Sequence, residues 1–395
     1  MALERSSLVL SPEAPYPLSG GGALRTASIL EYLGPRYALD VIVFREPGAP
    51  DPRRAFPKGL TRAVRVIDLP AHSKTLAARA VRNLARLASG RPPLNDRFQG
   101  FAREVSDCLE QQRYDIAFIE HFWCAPYLDQ VAPCASRVIL DLHNVESALY
   151  GSLADSEPWP KSMALGSFAR AARRMEGRWL PRFSSVLVAS KQDAARVRQI
   201  APQAAALVYP NAIPAAPQPC VREENVVVFS GNLEYEPNVS AVRFFRSRVW
   251  GSLRAQWPGV RWRLVGRNPQ AVAKYAGGDP RIELAGPVAD AVLELARACV
   301  VVVPLLAGSG TRLKILEAWA AGRAVVSTTL GAEGLPVKDG EHLLLRDTAE
   351  SFAAAVSRLL RSPEERLRLG AAGRALLERE FTWPRAWAAL AEATA

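Results

Sequence analysis

The stretch VVVVPLLAGSGTRLKILEAWAAGRAVVST, Val300 to Thr328, decides the fold. Four consecutive valines form an apolar, β-branched run of strand length, Val300 to Pro304. A loop bearing Gly308 and Gly310 follows, Thr311 is placed to cap a helix, and a second strand runs from Ala324 to Thr328. Strand, loop, helix and strand in this order are the repeating unit of a parallel sheet.

The same alternation extends in both directions. Before the valines, strands are expected at Ser7–Leu10, Leu39–Phe44, Val64–Leu69, Ile116–Ile119, Val138–Leu142, Val186–Ala189 and Leu207–Tyr209, then at Val226–Ser230, Arg261–Val265 and Ile282–Leu284. After Thr328 one more is expected at Leu343–Leu345. Pro210 to Glu224 holds four prolines and no periodicity, which reads as a linker. The expectation is an α/β chain with two doubly wound parallel-sheet domains: 1–212, a linker 213–224, a second domain 225–375, and a helical tail 376–395 that packs back on the first domain.

Composition excludes several classes. At 395 residues, 49% hydrophobic and 23% charged, the chain is long enough for two or three cores and too ordinary for disorder or coiled coil. The longest apolar run, Ala298 to Ala307, is 10 residues and contains Pro304, half of what a membrane span needs. Glu4 and the early prolines do not fit a secretory signal, so a cytoplasmic location is expected. The net charge of +11 points to anionic partners. Five scattered cysteines without a CxxC pair and four histidines without an HExxH frame argue against zinc, and no Asp-x-Asp occurs to hold a divalent cation on a diphosphate.

In this fold class chemistry sits in the loops after strands. Gly308 and Gly310 let backbone N–H groups approach an anion, while Arg312 and Lys314 place positive charge in a first helical turn, where the macrodipole favours acids. A bound phosphate offsets that misplacement. Glu317, three residues after Lys314 on the same helical face, is positioned for sugar or ribose hydroxyls; a plain Lys314–Glu317 surface pair is the alternative. Neither GxGxxG nor a P-loop fits, because Leu313 stands where a glycine is needed and no GK[ST] follows. Gly20, Gly21 and Gly22 form a second glycine cradle before the helix Ala23–Leu33, with a mobile loop as the alternative. Glu120 and His121, then His143, Asn144 and Glu146, cluster at the ends of neighbouring strands and are candidates for acid/base or orienting roles or, singly, for structural ones.

Taken together these residues resemble the retaining glycosyltransferases of family 4 with the GT-B fold, the family that includes sucrose synthase and the phosphatidylinositol mannosyltransferases. The resemblance rests on Ser19–Ala23, Pro210-Asn211-Ala212-Ile213, Phe229-Ser230-Gly231-Asn232, Leu264-Val265-Gly266 and Leu316-Glu317-Ala318 with Gly322, Ala324, Val325 and Val326. It implies transfer of a hexosyl group from a nucleoside diphosphate sugar to an acceptor hydroxyl, with retention, without a metal or other cofactor. By the same resemblance Glu317 binds the ribose, Gly310 and Leu313 offer backbone amides to donor sugar and phosphate, Gly21 and Gly22 approach the diphosphate, and His121 or its neighbour Glu120 lies by the reacting sugar. From their place at a strand end, His143 and Asn144 are expected to orient the acceptor.

Two departures from the family pattern matter. Ser309 stands where the first acid of the family's acidic pair belongs, and Gly231 is followed by Asn232 rather than by a basic pair. Arg312 and Lys314 are expected to supply that charge, with Arg267 as a second source; Gly308, Ser309 and Thr311 complete the donor loop. The expected partners are the nucleotide sugar and a saccharide or lipid-linked saccharide acceptor of a bacterial surface polysaccharide, glycolipid or exopolysaccharide.

Two basic amphipathic stretches, Lys74–Arg91 and Phe168–Phe183, fit peripheral binding to an anionic inner membrane face and equally fit solvated surface helices. A GT-B nucleotide-sugar epimerase is the alternative enzyme. A nucleic-acid binder rests on charge alone, and no specific nucleic acid is expected.

Overall fold

The computed structural model describes residues 5–18, 20–73, 75–109, 112–308 and 313–395. The chain divides into two compact units: Met1–Pro210 with Trp387–Ala395, and Asn211–Ala386.

The first unit holds seven parallel strands: β1 (Ser6–Ser11), β2 (Ala38–Arg45), β3 (Ala63–Asp68), β4 (Ile116–Glu120), β5 (Val138–Leu142), β6 (Ser185–Val188) and β7 (Ala206–Val208). Their order is β3-β2-β1-β4-β5-β6-β7. The second holds β8 (Val226–Ser230), β9 (Arg261–Val265), β10 (Ile282–Gly286), β11 (Val300–Val303), β12 (Val325–Ser327) and β13 (Leu344–Leu345), ordered β10-β9-β8-β11-β12-β13 and again all parallel. Each expected strand is present, with ends shifted by two residues at most. Central strands such as β4, β5, β8 and β11 are buried at every position, which is why they read as mostly apolar runs rather than alternating ones.

Strand order reverses between β1 and β4 in the first sheet and between β8 and β11 in the second. At such switch points the loops leaving adjacent strands run to opposite faces of the sheet and open a crevice at its carboxyl edge. Both site clusters described below stand at these two points.

The first core is built on Leu8, Leu10, Ile42, Ile119 and Leu140, with helices packed over the sheet. The second core gathers Phe229, Phe245, Trp250, Trp262, Trp319 and Phe352, all fully buried. There the helix Pro363–Glu380 comes in through Gly370 and Gly373, where a Cβ would lie 2.2 Å from the Gly322 carbonyl oxygen and from the Trp319 ring. That close approach backs the helix Leu313–Ala320, which carries Lys314 and Glu317.

The stretch read as a linker is tied to the second unit. Ile213 bridges to Thr382, Glu223 pairs with Arg323 and Arg366 at 2.7 and 2.5 Å, and Glu224 pairs with Arg261 and Arg263 at 2.8 Å. The helix Pro363–Glu380 runs through residue 376, so helical structure is continuous where the tail was expected to begin; the break comes at Phe381–Thr382, before the helix Trp383–Thr394. Within the first unit Trp387 donates its indole N–H to Ser28, at 3.1 Å from both the carbonyl and the hydroxyl oxygen.

Candidate active site

In the first unit a buried polar network fills the switch point. Arg25, on the helix Gly21–Leu33, donates Nε and Nη2 to the two oxygens of Asp141 at 2.7 and 2.5 Å and Nη1 to the Tyr209 carbonyl at 2.8 Å. Asp141 lies on β5 and Glu120 at the end of β4, where both are fully buried. Glu120 Oε2 accepts from the Thr26 hydroxyl at 2.8 Å and meets His143 Nε2 at 3.0 Å, while His143 Nε2 is also 3.3 Å from Asp141. Above this pair the His121 ring stacks between His143 at 3.5 Å and Trp123 at 4.1 Å. His121 has φ 61°, a region costly for a residue with a Cβ, and its N–H donates to the Asp141 carbonyl at 2.9 Å. A Cβ on Gly22 would lie 3.7 Å from both His121 Nε2 and His143 Nδ1, so the glycine cradle and the histidines share one place.

Burial sets the protonation of the network. It raises the Glu120 carboxyl, aided by the Asp141 charge, whereas Asp141 is held low by Arg25 in spite of burial. His143 is raised by its bonds to Asp141 and Glu120, which outweigh a burial that works against them. His143 Nε2 and Glu120 Oε2 face each other at 3.0 Å, so the two groups titrate as a pair. His121, desolvated and beside His143, falls well below the ordinary histidine value and is a neutral imidazole.

Behind Trp123, Glu146 accepts its indole N–H at 3.0 Å. Desolvation and the neighbouring Glu176 push the Glu146 carboxyl up to about 8. Glu120, Asp141 and His143 bring one donor atom each within 4.8 Å of one another, a metal-compatible spacing. Both Asp141 oxygens, however, already serve the Arg25 guanidinium, which compensates the charge a cation would need.

In the second unit the site is backbone on backbone. Gly231 leaves β8 at φ 146° and Gly266 leaves β9 at φ 142°, and a Cβ on Gly266 would fall 1.8 Å from the Gly231 carbonyl oxygen. The two loops are laced by Gly231 N–H to the Val265 carbonyl and Leu233 N–H to the Arg267 carbonyl, each 2.9 Å, and by Asn268 Nδ2 to Asn232 Oδ1 at 3.1 Å. Gly266→Ala is expected to force these loops apart and lose nucleotide binding while the β8–β9 core stays folded; a wild-type thermal shift with nucleotide would contradict this.

Lys314, from the helix at the other side of the switch point, reaches into this lacing. Its Nζ donates to Asn238 Oδ1 at 2.7 Å and lies 4.3 Å from the Phe229 ring centroid, and a Cβ on Gly231 would be 3.2 Å away. Asn238, only 6% exposed, donates its Nδ2 to the Asn232 carbonyl at 2.7 Å and so fixes both the loop and the ammonium. Glu317 sits one turn along the helix; burial, against the pull of Lys314, raises its carboxyl to about 7.

Gly231, Asn232 and Lys314, named from sequence, thus meet in one strand-end cluster, Glu317 lies within electrostatic reach of Lys314, and Gly308 is buried in the loop after β11. Leu313 opens the helix, and Arg267 is exposed on the β9 loop. Ser309, Gly310, Thr311 and Arg312 lie outside the described residues. In the first unit Gly22, Glu120, His121 and His143 converge, with Gly21 at the helix start and Asn144 half-buried after His143. Glu120 is fully buried, and its carboxylate meets Thr26 and His143 rather than solvent. Sequence reading missed Arg25, Asp141, Trp123 and Asn238, which have no motif of their own. An aspartate inside an apolar strand, Val-Ile-Leu-Asp-Leu, is the one signal that could have flagged Asp141.

Two doubly wound parallel-sheet units, each with its polar cluster at a switch point, define the GT-B fold. Residues 224–362, within the second unit, match the family model described as Glycosyl transferases group 1. Sucrose-phosphate synthase from Thermosynechococcus elongatus superimposes with TM-score 0.74 at 18% identity, over 98% of both chains. TarM from S. aureus, in complex with UDP and other ligands, gives 0.72 at 11% identity over 98% of this chain and 99% of that one. HepE from Anabaena, in complex with UDP and glucose, gives 0.67 at 15% identity, again over 98% and 99%. A Klebsiella pneumoniae protein described as an uncharacterized 44.6 kDa protein in the cps region is 22% identical over 372 residues, 88% of each chain.

Proposed function

We propose that the protein transfers a hexosyl group from a nucleoside diphosphate sugar to a hydroxyl of a saccharide or lipid-linked saccharide, with retention at the anomeric carbon and without a metal ion. The observation that carries this reading is the Lys314 ammonium, held at a helix start by Asn238 and Phe229 beside the Gly231 backbone, inside the segment that matches the group 1 family. A cation, a helix N-terminus and a glycine-opened loop form a diphosphate cradle. Solved structures of similar fold that hold UDP support the nucleotide, and the cps-region relative supports a role in surface polysaccharide.

In the reaction the bond from the anomeric carbon to the diphosphate oxygen breaks and an acceptor oxygen forms the new bond, its proton passing to the departing diphosphate oxygen. Lys314 and the helix N-terminus stabilise charge gathering on the departing diphosphate. Glu317 accepts hydroxyl hydrogens from the ribose, and the neutral His121 imidazole serves a sugar hydroxyl, oriented by the stack on Trp123 and His143.

The test is a thermal-shift series with UDP, GDP, ADP, dTDP and their hexose conjugates in EDTA, followed by NMR of the product's anomeric configuration. A selective shift and a retained configuration are expected; no shift with any nucleotide would overturn the reading. Because Glu317 titrates at about 7, its ionised, accepting form is lost as pH falls through 7. Nucleotide affinity is therefore expected to rise as pH is raised through 7, and Glu317→Gln to bind weakly with no such step; a pH step unchanged in Glu317→Gln would remove this residue from the site.

A further inference from the structure

One helix of the first unit is turned inside out. Leu76–Ser89, capped by the Thr75 hydroxyl and ended by Gly90, is strongly amphipathic, and soluble helices bury the apolar face. Here Arg82 and Arg86 lie on the half-buried side, Arg86 donating to Asp96 at 2.8 Å. Ala77, Ala80, Val81, Leu84, Ala85 and Ala88 form the outward stripe. Val81 is 66% and Leu84 67% exposed. The neighbouring helix Lys161–Trp179 approaches in its C-terminal half, where Arg174 Nη2 lies 3.6 Å from a Cβ placed on Gly90. At its start Trp159 and Met163 are 76% and 65% exposed and touch each other through the indole N–H and sulfur at 3.2 Å.

The charge around these apolar side chains is mostly basic, set against an exposed Asp155, the half-buried Asp96 that pairs with Arg86, and the buried Glu157 that pairs with Lys161. From Leu69 to Asn95 the chain holds five basic residues and no acid. The helix Lys161–Trp179 exposes Lys161, Arg170, Arg173, Arg174 and Arg178, while its one acid, Glu176, is fully buried. A protein partner would be expected to meet this patch with carboxylates of its own at fixed positions. A bilayer meets the whole pattern at once: acyl chains take Val81, Leu84, Trp159 and Met163, and anionic headgroups take the arginines. No helix among the described residues is long and apolar enough to cross a membrane, so contact is from one side. We propose that the outward stripe of Leu76–Ser89, with the start of Lys161–Trp179, seats the first unit on an anionic lipid surface.

This inference stands on the first unit alone and is independent of the donor chemistry. Its test is flotation of the full chain with vesicles of phosphatidylcholine, alone or mixed with phosphatidylglycerol. Binding is expected to the mixed vesicles and not to the neutral ones. Val81→Asp with Leu84→Asp should lower partition by about tenfold or more, since each removes a side chain from apolar contact, with circular dichroism and melting unchanged. Arg170→Glu with Arg174→Glu should weaken binding to a similar degree. Three results would overturn the proposal: no flotation, binding indifferent to the aspartate pair, or self-association abolished by that pair in a protein that ignores lipid.

Discussion

Lys314→Ala is expected to lower kcat/KM for the nucleotide sugar by about 10²–10³, the range found when one preorganised donor to a developing anion is removed. The loss should fall mainly on kcat, because charge on the diphosphate grows as the glycosidic bond breaks and the ammonium matters most there. Lys314→Arg should not rescue, since a planar guanidinium has no room among Asn238, Phe229 and the Gly231 backbone. Asn238→Ala, which leaves the ammonium in place and loosens its hold, should lie between parent and Lys314→Ala. Initial rates of nucleoside diphosphate release read all three. A Lys314→Ala enzyme within threefold of the parent would remove this residue from the chemistry and leave Arg267, or a residue outside the described ones, as the diphosphate's counter-charge.

The second large effect concerns folding. Arg25→Met should destabilise the first unit by about 3–5 kcal/mol, because Asp141 would be left buried and charged without its bidentate partner. Arg25→Met with Asp141→Asn should recover most of the loss, since a neutral amide carries no such desolvation cost. The pH dependence gives an independent reading. In the parent the Asp141 carboxyl is depressed by Arg25, so it contributes stability above about pH 4, the unfolded value, and that contribution is lost as pH falls toward the folded value. In Arg25→Met the sign reverses, and the variant should lose stability as pH rises through and above 4. Urea unfolding followed at several pH values distinguishes the two. Equal slopes would show that Arg25 does not set the charge of Asp141.

Much of the site was legible because its residues obey local rules. Gly231 and Gly266 stand directly after apolar strands, and Lys314 sits in a helical turn where the macrodipole disfavours it, so each carries its own flag in the chain. Asn238 carries none. It is an ordinary residue in the second half-turn of a helix, and it matters only because β8 and the helix Leu313–Ala320, separated by more than seventy residues, are brought together. Arg25 is hidden for a similar reason. Among many arginines it is the one with no exposed atom to speak of, and its partner is 116 positions away.

The helix Leu76–Ser89 shows the limit most directly. Its amphipathic pattern was readable, yet periodicity specifies two faces without saying which one meets the protein.

Two parallel sheets, the place of every strand and the glycine-opened loops were determined by the sequence by itself, because a strand buried on both faces is apolar at nearly every position and glycine takes the backbone angles that Gly231 and Gly266 require. Which polar groups meet at the switch points, which way burial moves Glu120 and His143, and which face of an amphipathic helix looks outward were decided by tertiary structure alone, because desolvation and charge pairing depend on neighbours in space rather than on neighbours in the chain.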